Sequence, residues 1–290
     1  MQPDKSHLPK PICDEKFFQL RSGIYDDSDI SVWINEKEDF AFLSPIPKFE
    51  YNEYQPRHKK LNLSDYKRES NDIEKRISKI ISFIDQDKFS NFLEIGCGNG
   101  DFLSALREIV DNIEIFAIEP DQNTREARDN YEWLNCFENL DKCCEQNFHF
   151  GIIALFHVFE HLEEPNMFLK RIKSVFEKKN ILILEVPSLN DPLLSLYSLK
   201  EYENFYFQRQ HPFIYSANSL SRLLSHEGFT IKQIIPHQRY GLENHLNWLV
   251  NKKPGGNSLF QKVFAEIDNK YRTALEVSQY TDTIIIIATC

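Results

Sequence analysis

No apolar run in the 290 residues approaches the length needed to cross a bilayer; stretches such as Ile284 to Ala288 suit a buried strand instead. The amino terminus, Met1-Gln2-Pro3-Asp4-Lys5, has none of the apolar core that a signal peptide carries, so a cytoplasmic location without membrane insertion is expected. Basic charge is also short: 34 Lys and Arg stand against 44 Asp and Glu, a formal net charge of −10. Nucleic acid rewards a basic face, and the run His58-Lys59-Lys60 is too small to supply one, so no nucleic-acid partner is expected. Six cysteines form no C-x-x-C pair, which makes reduced thiols the simplest reading. No internal repeat is visible. Glycine is scarce, at nine residues, and three of the nine stand together.

That place is Phe92-Leu93-Glu94-Ile95-Gly96-Cys97-Gly98-Asn99-Gly100, an apolar run closing on G-x-G-x-G. A buried strand that enters a glycine-rich turn and then a helix brings backbone against a nucleotide-like ligand. A dinucleotide fingerprint places its third glycine at position 101, where Asp101 stands, and this argues against NAD. A second apolar run, Ile113 to Ile118, closes on Glu119-Pro120, with Glu119 nineteen residues after Gly100. A carboxylate at the carboxyl end of a second strand can accept both hydroxyls of a ribose; the alternative for Glu119 is a helix cap or a solvated turn acid.

These motifs resemble those of class I S-adenosylmethionine (SAM) dependent methyltransferases. The resemblance implies a Rossmann-like α/β fold: a seven-stranded, mostly parallel sheet with helices on both faces and its last two strands antiparallel to each other. It also implies SAM as cofactor, with contacts at Glu94, Gly96, Cys97, Gly98, Asn99, Gly100, Glu119, Pro120, Phe156 and His157. In that family the loop hugs the methionine part of the cofactor, and the acid at Glu94 helps hold its ammonium.

The pattern of the chain agrees with one α/β domain carrying additions. Residues 1–70 read as an arm or lid with short strands such as Ile30 to Ile34, and Tyr51, Tyr54, Arg57 and Tyr66 lie just ahead of the first helix. A methyltransferase domain then spans 71–290. Ile73, Ile77, Ile80, Ile81 and Ile84 share one helical face within Ser70 to Asp85. Strands are expected at Phe92 to Ile95, Ile113 to Ile118, Trp133 to Phe137, Phe150 to Phe156, Ile181 to Val186, Phe229 to Ile235 and Thr283 to Thr289. Helices are expected at Asp101 to Val110, Gln122 to Tyr131 and Pro165 to Lys178. Two segments exceed a minimal core, about 187–216 and 236–282. Their aromatic residues, among them Tyr197, Tyr202, Phe205, Tyr206, Phe207 and Tyr215, line a substrate site or else pack a lid core or a homodimer interface.

After the fourth strand comes Phe156-His157-Val158-Phe159-Glu160-His161-Leu162, which resembles the H-V-x-E-H-L segment of small-molecule members of the family. Methyl transfer is an in-line displacement from sulfur, so the protein aligns the nucleophile and, for a hydroxyl, removes its proton. His157, His161 and His211 are the candidate bases, with Glu160 to orient an imidazole; the alternative is that Glu160 and His161 only satisfy backbone groups at a helix start. Some relatives bind a divalent metal through E-x-x-E-H, but His157 holds the first position here, so no metal is expected. Gly151 stands where the family often has an Asp at the start of this strand.

The stretch Glu185-Val186-Pro187-Ser188-Leu189-Asn190-Asp191, with Gln210-His211-Pro212, resembles bacterial enzymes of surface-polysaccharide biosynthesis. The implied acceptor is a hydroxyl of a sugar or nucleotide-linked sugar. A quinone-like, lipid or protein acceptor stays open, with Leu246-Asn247-Trp248-Leu249-Val250 as a surface for a greasy one, as does a non-catalytic SAM-binding module.

Overall fold

A computed structural model describes residues 3–48 and 63–290. It opens with three antiparallel strands, β1 (Phe17–Ile24), β2 (Asp27–Asn35) and β3 (Phe40–Ser44), and continues into helix α1 (Leu63–Ile80). Strands and helices then alternate through β4 (Asn91–Ile95), α2 (Asp101–Arg107), β5 (Glu114–Ile118), α3 (Arg125–Asp129) and β6 (Asn135–Phe137). Next come α4 (Leu140–Glu145), β7 (Phe150–Phe156), α5 (Pro165–Ser174) and β8 (Phe176–Pro187). The first added segment holds α6 (Pro192–Ser195), α7 (Lys200–Tyr206) and β9 (Phe213–Tyr215); α8 (Ala217–His226) and β10 (Thr230–His237) follow. The second holds α9 (Leu242–Asn251) and α10 (Ser258–Val277), before β11 (Thr283–Thr289).

Seven strands make the main sheet in the order β10-β11-β8-β7-β4-β5-β6. Neighbours from β8 through β6 pair in parallel, while β11 runs against both β8 and β10. The seven-stranded α/β expectation therefore holds, including the antiparallel last pair. Every residue of β7 is buried, which is what a strand covered on both faces requires and what its unbroken apolar run encodes. One face packs against Ile77 and Ile80 of α1 and Phe102, Leu103 and Leu106 of α2. The other packs against Leu169 and Ile172 of α5 and Leu220, Leu223 and Leu224 of α8, whose start is closed by a capping box between Ser216 and Ser219.

Several boundaries differ from those read in the sequence. Helix α5 stops at Ser174, not Lys178, because β8 already begins at Phe176, which pairs with Phe150. The third strand of the core shortens to Asn135–Phe137, and α4, capped by the Asn139 side chain, follows it without having been anticipated. Gly151 has a packing reason: a Cβ there would lie 2.8 Å from the Phe89 ring, so no acid fits.

The early strands form a sheet of their own, in the order β1-β2-β3-β9. Its fourth strand comes from the first added segment, some 170 residues later in the chain: Phe40 pairs with Tyr215 and Phe42 with Phe213. Of the lid residues named above, Tyr51, Tyr54 and Arg57 lie outside the described residues, and Tyr66 falls in α1.

Candidate active site

The glycine loop leaves β4 with three residues at positive φ, Gly96 at 82°, Gly98 at 54° and Gly100 at 85°. At Gly96 the freedom is obligatory, since a Cβ would meet the Val158 side chain at 2.3 Å, whereas the space beside Gly98 is open. Gly98 donates its N–H to Glu119 Oε2 (2.8 Å), and Asp121 N–H donates to Oε1 (2.8 Å). Glu119 thus stands at the end of β5 with its carboxylate against the loop, as the register of the motifs predicts. Arg128 closes the arrangement from α3, donating to the Gly98 carbonyl (3.0 Å). A cavity of about 160 Å³ opens beside Glu119, Arg128, Cys136 and Phe137.

Glu94 lies one residue before the end of β4, buried, and its Oε2 has no hydrogen-bond partner. Burial pushes its carboxyl up to about 8, against the pull of the nearby Arg76 guanidinium. A buried acid with an unmet oxygen beside an open glycine loop suits a cationic ligand group. Cys97, Asn99 and Pro120 share the same end of the sheet by their place in the two loops.

Arg76, on α1, gives Glu185 of β8 a two-pronged pair at 2.5 and 2.9 Å and lies 4.7 Å over the Phe156 ring. This contact was not read from the sequence. Its signals were an acid inside the apolar run of β8 and an arginine on the isoleucine face of α1. The guanidinium holds the fully buried Glu185 well below the usual carboxylate range, although burial alone would raise it.

Beyond β7 the chain turns through His157, at a left-handed φ of 55°, into a 3-10 turn over Phe159–His161. His157 Nε2 faces Glu185 Oε1 at 3.1 Å and Nδ1 faces Glu160 Oε1 at 3.4 Å. Its ring bridges two buried acids, which is a holding role more than that of an available base. Buried Phe159 anchors the turn, 5.7 Å from the Tyr215 ring of β9. Glu160 is 1% exposed, and neither carboxylate oxygen has a hydrogen-bond partner. Burial would raise its pKa, but the histidines around it, His157 first, hold it at about 2.

His211 arrives from just ahead of β9. Its ring lies 4.9 Å from that of His161, and ligand atoms of Glu160, His161 and His211 all fall within 4.8 Å of one another. His161 Nδ1 donates to the Gln210 carbonyl at 2.6 Å, which leaves Nε2 as the nitrogen turned away from that bond. Of the four residues put forward for catalysis, three therefore form one group, with His157 behind it.

The aromatic residues of the added segments divide otherwise than a substrate lining would. Tyr202, Phe207 and Tyr215 are buried, and Tyr202 and Phe205 pack on Trp248 of α9 at 4.9 and 5.1 Å. These rings pack on one another, and buried Trp248 is thereby withdrawn from any surface for a greasy acceptor. The Tyr202 hydroxyl donates to buried Asp191 (2.7 Å). A groove of about 600 Å³ between α1 and α2 contains none of the predicted site residues.

Residues 52–234, well over half of the chain, match the family model described as a methyltransferase domain. The chain belongs to the methyltransferase-domain family. S-adenosylmethionine is the methyl donor of such a domain, and the open loop with its unmet Glu94 oxygen fits it. No curated protein matches this methyltransferase. Solved structures similar to it include a SAM-dependent methyltransferase from Archaeoglobus fulgidus, 19% identical, with 74% of this chain and 93% of that one covered and a TM-score of 0.48. The plantazolicin methyltransferase BpumL, in complex with a triazolic desmethylPZN analog and SAH, is 13% identical over 78% and 85% of the two chains, with a TM-score of 0.49. The methyltransferase domain of bacterial CtHen1 is 15% identical over 76% and 100%, with a TM-score of 0.47. Among the described residues, no helix is long and apolar enough to cross a membrane.

Proposed function

We propose that this methyltransferase acts on a hydroxyl of a small polar acceptor, a sugar or a nucleotide-linked sugar of surface-glycan biosynthesis. Bound SAM supplies an electrophilic methyl group on a sulfonium. Glu94 takes its ammonium, the backbone from Gly96 to Gly100 lies along its methionine part, and Glu119 accepts the ribose hydroxyls. The observation that carries the acceptor reading is the grouping of Glu160, His161 and His211 beyond β7. A compact polar group next to the end of β7, two of its members imidazoles, is the chemistry that binds a hydroxyl and draws off its proton.

Purified protein, methyl-labelled SAM and a set of nucleotide sugars, run beside a fractionated cell extract, test this. Label in low-mass acceptors is expected. His161→Ala should cut transfer by about 10²-fold or more, the usual loss for a general base, while binding of S-adenosylhomocysteine (SAH) changes little. Label confined to macromolecules, or none despite tight SAH binding, would overturn the acceptor assignment.

A further inference from the structure

Glu160 poses a problem that methyl transfer alone does not resolve. Its carboxylate is taken almost wholly out of water, 1% exposed, yet neither oxygen accepts a hydrogen bond; His157 Nδ1 stands off at 3.4 Å. Imidazoles alone face this charge, whereas buried acids are normally met by several hydrogen-bond donors or by a cation. Ligand atoms of His161 and His211 stand with it inside a 4.8 Å span. The His161 tautomer is set by a carbonyl on its far nitrogen, the outer-sphere hydrogen bond that orients metal-bound histidines. Two further features hold the group in place. Buried Phe159 fixes the turn from one side, and the pairing of β9 with β3 fixes the segment carrying His211 from the other.

We propose that Glu160, His161 and His211 bind one divalent transition-metal ion. Two imidazoles and one carboxylate make a borderline donor set that suits Mn²⁺, Co²⁺ or Zn²⁺ and disfavours Mg²⁺ and Ca²⁺, which take oxygen ligands. Three protein ligands leave coordination positions open, as catalytic metal sites do. The acceptor hydroxyl takes one of them, so the ion would position the oxygen and lower the hydroxyl's pKa; the proton would pass to solvent water as the oxygen–methyl bond forms and the methyl–sulfonium bond of SAM breaks to release SAH. His157, between Glu160 and Glu185, keeps the ligating carboxylate aimed at the ion. This deepens the proposed function and rests on it for the identity of the oxygen ligand, but not for the site itself; with their lone pairs on the ion, His161 and His211 act as ligands in place of a base.

The full-length protein, stripped with a chelator and dialysed, is titrated with Mn²⁺ by electron paramagnetic resonance and with Co²⁺ by visible absorption. One site per chain is expected. Glu160→Gln and His211→Ala should each weaken it at least tenfold, with circular dichroism and SAH binding confirming that both variants are folded. No uptake by the stripped protein at up to about a hundredfold excess of metal, while it still binds SAH, overturns the metal site and leaves the imidazole-base reading standing. Uptake that the variants do not weaken, or a Co²⁺ thiolate charge-transfer band, would put the ion elsewhere and equally overturn it. Metal uptake without any SAH binding would instead sink the cofactor assignment and spare the site.

Discussion

Glu94 is buried where its charged form lacks the partners it needs, so its carboxyl titrates near 8 in the free protein. At neutral pH it is mostly protonated, and taking up a ligand ammonium favours ionisation, so a proton must leave on binding. SAH affinity should therefore rise as pH is raised from about 6 to about 7.5, by up to roughly tenfold per unit. Because the folded value lies above the usual carboxylate range, the same group contributes stability that is complete below about 4.5 and is lost as pH rises through about 8. Glu94→Gln removes both dependences: the free protein becomes more stable at alkaline pH, while SAH binding weakens at least tenfold, or about 1.5–3 kcal/mol for a lost charge-assisted pair, and becomes nearly flat with pH. Titration calorimetry across this range, with thermal melts of both proteins, decides it. A slope retained in the variant would move the titrating group elsewhere.

Between elements, one contact that ties α1 to the main sheet is the Arg76–Glu185 pair, both partners buried. Two desolvated charges gain little over a well-packed apolar pair, but removing one leaves the other stranded. Arg76→Met should cost about 3–5 kcal/mol in urea denaturation, and adding Glu185→Gln, which keeps an acceptor for His157, should recover a large part of the loss. Equal costs for the single and the double variant would show that the pair does not act as a unit. This contact also marks where reading the sequence stops. The strands of the core were legible because each is an apolar run that ends in turn residues, and Glu94, the glycines and Glu119 were legible because they sit at fixed distances along those runs. Arg76 and Glu185 stand 109 residues apart with no local pattern linking them. Short elements escape for a related reason: α4 has six residues and β9 three, too few to show a period.

At the scale of the whole chain, the small sheet β1-β2-β3-β9 is what carries His211 to His161. The histidine is fifty residues downstream of its neighbour, and nothing periodic in residues 187–216 foretells the meeting. It follows from β9 pairing with β3, from the Leu43 N–H donating to the Pro212 carbonyl (3.0 Å), and from rings that lock the pairing. Phe40 is the centre of that lock, fully buried, 6.0 Å from Phe213 and 5.4 Å from Tyr215. Phe40→Ala should lower stability by about 3–5 kcal/mol, the ordinary cost of emptying a large core position. A purely structural role would end there, with the surviving folded protein fully active. If the sheet positions the site, the folded variant should bind SAH within about threefold of the parent, since the glycine loop lies on the other sheet, yet transfer methyl groups to the labelled acceptor at least tenfold more slowly. Measured below its melting point, a variant with the parent's turnover would reduce this sheet to a prop; one that loses SAH binding as well would show that the two sheets do not report on the site separately.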